Sequence, residues 1–130
     1  MKALILLSLI IIYPALTEAE INNLQNGKNN FNNKYAIDNL ISCLTSENQG
    51  VKRQGVYFAG LYKVDESVDY LIDIIKNQNN DEVQKLAVLS LLRIDSPKGI
   101  KFLKKFTVES DNTDLQKLSS FVYLDDASMK

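Results

Sequence analysis

The 130-residue chain contains no histidine, no tryptophan, a single cysteine, two prolines and five glycines. Each scarcity closes a class of function. Without histidine the usual general base near neutral pH is missing, and zinc and copper lose their commonest ligand. Cys43 stands alone and cannot form an intrachain disulfide, which excludes the small disulfide-stapled secreted scaffolds. It also lacks an imidazole to lower its pKa or relay its proton, so it reads as a small core hydrophobe rather than a nucleophile. Gly27, Gly50, Gly55, Gly60 and Gly99 never cluster as a phosphate-cradling loop requires. Charge of one sign is lacking too: 15 basic side chains face 16 acidic ones, a formal net charge of −1. A nucleic-acid binder neutralises phosphates and displays a basic stripe, so no nucleic-acid partner is expected. No cofactor or metal site is expected either.

What is present is the composition of an ordinary globular domain, 45% apolar and 24% charged. A chain of this size buries roughly 65–70% of its unfolded surface, enough to fold without metal or disulfide. The N-terminus carries an address. Lys2 is a minimal positive region, Ala3 to Ile12 is apolar apart from Ser8, Pro14 breaks the run, and Thr17-Glu18-Ala19 offers small residues for cleavage. This is the pattern of a secretory signal peptide over 1–19. The uncharged stretch from Ala3 to Thr17 is 15 residues, short of the roughly 20 that a spanning helix needs. The expected product is therefore exported, periplasmic or secreted, with no stable membrane span after cleavage. Residues 20–33 hold seven Asn and few apolar side chains and read as a flexible leader. Residues 126–130 read as a tail.

From Tyr35 onward the apolar residues recur at three and four, which predicts six helices over about 34–45, 51–63, 66–77, 81–94, 97–107 and 113–125. Asn80 and Asn112 stand where N-caps belong, and Ser96-Pro97 opens the fifth helix. Asp65 and Asp95 fall at turns, where their side chains are expected to cap the following helix. The chain also repeats itself. A shift of 32 carries Val51, Gly55, Val68, Tyr70, Leu71 and Ile74 onto Val83, Ala87, Ile100, Phe102, Leu103 and Phe106. A second shift of 32 carries Val83-Gln84-Lys85-Leu86 onto Leu115-Gln116-Lys117-Leu118. A helix pair of this length cannot bury its apolar face alone, so neighbours must stack. The expected core is Ile37, Leu40, Leu44, Val56, Ala59, Val68, Leu71, Ile75, Val83, Ala87, Leu91, Ile100, Leu103, Leu118 and Phe121.

These residues carry a resemblance. Val51-Lys52-Arg53, Gly55, Ala59-Gly60, Asp65 and the Val68/Leu71 pair resemble the short HEAT-like repeat also found in phycobilisome-lyase-type proteins. The next repeat is similar through Val83, Ala87, Leu91, Ile94, Asp95, Ile100 and Leu103, with Gln84-Lys85 departing from the expected Val-Arg. The resemblance implies an all-α fold, a short right-handed α-solenoid of helix pairs over residues 34–125. It further implies that the first helices of each pair lie on the convex side and the second on the concave side.

Asp69 and Asp73 lie four apart, and Asp38 corresponds to Asp69 one repeat earlier. A glycosidase-like pair would need an apolar pocket to raise one carboxyl's pKa, and the pattern supplies none. Solvated faces are the better reading, and no catalytic residue is assigned. A surface remains. The second helices would expose Asp38, Asp69 and Asp73 towards one end and Lys101, Lys104 and Lys105 towards the other. The last helix would leave Leu115 and Val122 uncovered, since no partner helix follows it. The function this supports is an exported, non-catalytic module for an unknown protein partner, an inhibitor or immunity-type protein being its concrete form. A lyase-like or enzyme-accessory role is what the resemblance offers as an alternative. A third reading is a structural solenoid that self-associates through its C-terminal helix.

Overall fold

The computed structural model describes residues 33–124. The signal-peptide reading, all of the leader but Asn33, and the tail lie outside the described residues. Six α-helices follow in order: α1 (Lys34–Leu44), α2 (Gln49–Leu61), α3 (Val68–Asn77), α4 (Asp81–Ile94), α5 (Pro97–Glu109) and α6 (Thr113–Ser119), with a 3-10 turn at Asp65–Ser67 before α3. There is no strand among the described residues. Helices α2, α4 and α6 pack on one another in one layer, and α1, α3 and α5 line up in the other. The result is the two-layer helical stack that the internal repeat requires.

The repeat is written most strictly in polar contacts. Asn48, Asn80 and Asn112, each 32 residues from the next, open α2, α4 and α6. In each case the side-chain oxygen accepts the backbone N–H groups two and three residues on: Gly50 and Val51, Glu82 and Val83, Asp114 and Leu115. These bonds satisfy N–H groups that a helix cannot satisfy within itself. Gln84 Nε2 donates to the Ile75 carbonyl at 2.9 Å, and Gln116 Nε2 repeats the bond to Thr107 at 2.9 Å. The departure from Val-Arg at Gln84 is thus a tie between one helix pair and the next.

Small residues set how closely the layers approach. A Cβ on Gly60 would lie 2.6 Å from Ser90 Oγ and 2.9 Å from its Cα, so α2 meets α4 here with only the small Ser90 side chain between them. Ser90 Oγ donates to the Val56 carbonyl at 2.8 Å across the same interface. Gly55 does the same for α1, where a Cβ would meet that of Cys43 at 2.9 Å. Cys43 is half-buried and free, packed on Gly55 rather than sunk in the core.

Most of the expected core is buried, with Val56, Ala59, Leu71, Ala87, Leu91 and Leu103 fully enclosed. Ile37, Ile100 and Leu118 are half-buried. Phe121 is a correction: it is 54% exposed. The last helix explains it. Instead of running unbroken to residue 125, α6 stops at Ser119; a turn at residues 120–121, where Ser119 and Ser120 donate their hydroxyls to the carbonyls of Gln116 and Lys117, interrupts it before residues 122–124 become helical again. That turn aims Phe121 outward. Two further corrections concern caps. Asp95 sits in the left-handed region (φ 58°) and closes α4, while Ser96 caps α5 by accepting from Gly99 N–H. Asp65 lies within the 3-10 turn and makes no cap bond. Asn33, assigned to the leader, caps α1.

Candidate functional site

The residues singled out on the second helices all come from α1, α3 and α5, so one layer presents them. Asp38, Asp69 and Asp73 are exposed, as are Lys101 and Lys105, whereas Lys104 is half-buried. They do not converge as one cluster. Asp69 is held by Lys98 of the neighbouring helix α5 at 2.5 Å. Asp73 accepts a hydrogen bond from Asn77 Nδ2 at 2.6 Å, one turn along its own helix. With both carboxylates exposed and taken up by local partners, they form a solvated rim.

The basic end is more organised. Helix α5 carries Lys98, Lys101, Lys104 and Lys105 against the single acid Glu109. Lys105 pairs loosely with Glu109 at 3.7 Å, one turn along α5. Lys104 lies over the Tyr123 ring, 5.9 Å from its centroid, and its carbonyl accepts from the Tyr123 hydroxyl at 3.2 Å. Tyr123 therefore fastens the C-terminal turn to α5. Between α3 and α5 runs a groove of about 300 Å³. Its floor is the stacked pair Phe102 and Phe106, with ring centroids 5.5 Å apart, and Lys76 of α3 lies 5.6 Å from the Phe102 centroid. Lys105 and Glu109 form the opposite rim. Apolar rings framed by two lysines can hold an apolar side chain and a neighbouring carboxylate together.

Sequence reasoning places Lys105 on this face and singles out neither Phe102 nor Phe106 as a site residue. The signal is available in the shift of 32, which sets these two rings where the previous repeat has Tyr70 and Ile74. Both rings remain only half-buried. Tyr62 and Tyr70 are core-edge residues, half-buried and packed against the apolar cluster.

The C-terminal end differs from expectation. Leu115 is 2% exposed and Val122 3%, both inside the core that α6 closes, so neither is a surface residue. The apolar side chains that do face solvent there are Val108, Phe121, Tyr123 and Leu124. No described helix is long and apolar enough to cross a membrane.

No curated protein and no solved structure matches the chain. The pattern of HEAT repeats matches residues 37–119, taking in all three of the stacked helices α2, α4 and α6 and nearly all of the helices paired with them. With more than half of its length so matched, the chain belongs to the HEAT-repeat family.

Proposed function

We propose that this chain is an exported, non-catalytic protein-binding module that takes an acidic segment with an apolar tip into the groove between α3 and α5. HEAT repeats are generally protein-interaction scaffolds, and the family is typically non-catalytic. The observation that carries the proposal is the stacked Phe102–Phe106 pair lying open between Lys76 and Lys105. Aromatic side chains supply large contact area at low entropic cost, and the lysines steer and orient an acidic partner. The four lysines of α5 extend that positive field along the helix. The apolar N-terminal run and the small size support an inhibitor or immunity-type role outside the cytoplasm as the concrete form.

Two experiments test it. Affinity capture from the native envelope or medium, run in parallel with Phe102→Ala and Lys105→Glu, is expected to retain one protein that both variants lose by about tenfold or more, the effect of a buried interface anchor. Retention unchanged by both variants would remove the groove from the function. N-terminal sequencing of the exported product is expected to begin at Glu20, and an uncleaved chain would overturn the export reading.

A further inference from the structure

The N-terminal end of the stack shows a face that the repeat itself marks as one to be covered. Successive shifts of 32 carry Phe58 of α2 onto Ser90 and Val122, and Val51 onto Val83 and Leu115. Those four residues are buried. Ser90 shows what buries them. Its Oγ donates to the Val56 carbonyl at 2.8 Å, so this side of α4 faces the helix one repeat earlier. Val83 lies two turns before Ser90 on the same side, since seven residues return a helix almost to one face. For α2 that earlier helix is missing among the described residues, because none precedes α1. Val51 and Phe58 are accordingly 41% and 39% exposed. Phe58 also stacks on Tyr62, with centroids 6.0 Å apart, so the apolar strip runs to the end of α2. Solenoids close such an end with an element that is apolar inside and polar outside.

We infer that residues 20–32 of this chain form that cap, in the place of the helix that would precede α2. Register, composition and connection select this occupant. Moving α2 (Gln49–Leu61) back by 32 gives residues 17–29, and α1 begins at Lys34, after a connection about as short as that from α2 to the 3-10 turn. The same shift sets Leu24 at the position of Val56 and Val88, both buried. Leu24 then falls on Phe58 as Val56 falls on Ser90, and Ile21, one turn earlier, falls towards Val51. Residues 20–29 alone make about 15 Å of helix, more than the roughly 10.5 Å from Val51 to Phe58. Cleavage after Ala19 would leave all of them in place. In composition, Ile21, Leu24 and Phe31 are the large apolar residues of the segment, and its six Asn, Gln25 and Lys28 suit a polar outer side. In connection, the segment joins α1 at its cap Asn33, and α1 packs along α2. Being tethered, it meets the face at an effective concentration of about millimolar, far above that of a second copy. An Asn-rich helix this short is unstable alone, so the cap is ordered only by docking on the stack. It closes the N-terminal end to partners and leaves the groove between α3 and α5 free.

Hydrogen exchange of the whole chain, read by mass spectrometry at several protein concentrations, tests this. A synthetic peptide of residues 20–32 supplies the undocked rate. Amides of that segment are expected to exchange about tenfold or more slowly in the protein than in the peptide, at every concentration. Leu24→Ser, which lies before the first helix of the stack, is expected to return the segment to the peptide's rate. Phe58→Ser, on the stack itself, is expected to do the same. Val108→Ser, exposed on α5 at the opposite end, is expected to leave the protection as it is. Three results overturn the cap: exchange at the peptide's rate in the parent, protection that survives both Leu24→Ser and Phe58→Ser, or protection that rises with protein concentration, which assigns the face to a second copy. Loss of protection in Val108→Ser as well would show a general loosening and likewise overturn it.

Discussion

Gly60→Ala is the sharpest probe of how the layers are held together. In an ordinary helix this change stabilises by about 0.5–1 kcal/mol, because alanine loses less backbone freedom than glycine. Here the added Cβ would sit 2.6 Å from Ser90 Oγ, 2.8 Å from its Cβ and 2.9 Å from its Cα. The Ser90 backbone cannot swing aside as a flexible tip would, so α2 and α4 must separate locally. Overpacking of this kind costs about 1–3 kcal/mol. Displacing Ser90 Oγ also threatens its 2.8 Å bond to the Val56 carbonyl, worth about 1 kcal/mol. The helix gain is smaller than usual because Gly60 is the second-last residue of α2. The sum is a net loss of about 1–3 kcal/mol, or a melting temperature lower by roughly 4–8 °C per kcal/mol for a domain of this size. Urea unfolding followed by circular dichroism at constant slope measures it. Ser90→Gly in the same chain is expected to restore only part of the loss, since the new methyl still presses on the backbone at position 90. A Gly60→Ala chain as stable as the parent would refute the close-approach reading.

Leu103→Ala removes a fully buried side chain and is expected to cost about 2–5 kcal/mol in the same assay. Asn80→Ala, which strips the cap from α4, is expected to cost about 0.5–2 kcal/mol. Lys63 holds a left-handed backbone (φ 51°) just after α2, so Lys63→Gly is expected to raise stability by up to about 1 kcal/mol, read as a higher urea midpoint. Val122→Asp buries a charge and is expected to unfold the C-terminal turn, whereas Phe121→Ser and Leu124→Ser leave the circular dichroism intact. Those two variants, run in an ultracentrifuge concentration series, decide whether the exposed C-terminal end self-associates: a dimer that both abolish supports it, and a monomeric parent ends it.

The fold is legible because stacking leaves a double imprint, a helical period within each element and a period of 32 between them. What sequence reasoning misses follows from reading the first period without pressing the second. Leu115 aligns with the core residue Val83 and is buried like it, although on sequence it is expected to lie uncovered. Phe121 aligns with Leu89, not with a core position, and is exposed like it. The apolar pattern starts α2 two residues late, at Val51, yet Asn48 stands 32 before Asn80 and caps in the same way. The end of α6 is not recoverable from periodicity. The break falls at residues 120–121, where two serine hydroxyls bond to backbone carbonyls, a local feature that an apolar pattern does not register.

The positions held constant between repeats are of three kinds. The enclosed side chains join neighbouring helices, and the Asn caps and the Gln84 and Gln116 ties satisfy backbone groups that stacking would otherwise leave open. Both kinds are explained by folding alone. The third kind, Tyr57, Leu89 and Phe121, leaves a large apolar side chain exposed in every repeat, with Tyr57 meeting only the edge of Phe58 among the aromatic rings. The lysines of α5, in contrast, break the repeat: Lys101 and Lys105 stand where α3 has Asp69 and Asp73. Because packing fixes neither the exposed row nor the charge reversal, both are free to be set by what the stack binds. Exchanging Asp69 and Asp73 for Lys should therefore leave stability within about 1 kcal/mol, since exposed ion pairs contribute little. The same exchange should change which partners the layer of α3 and α5 retains. A stability loss well beyond that figure would show the acidic rim to be structural after all.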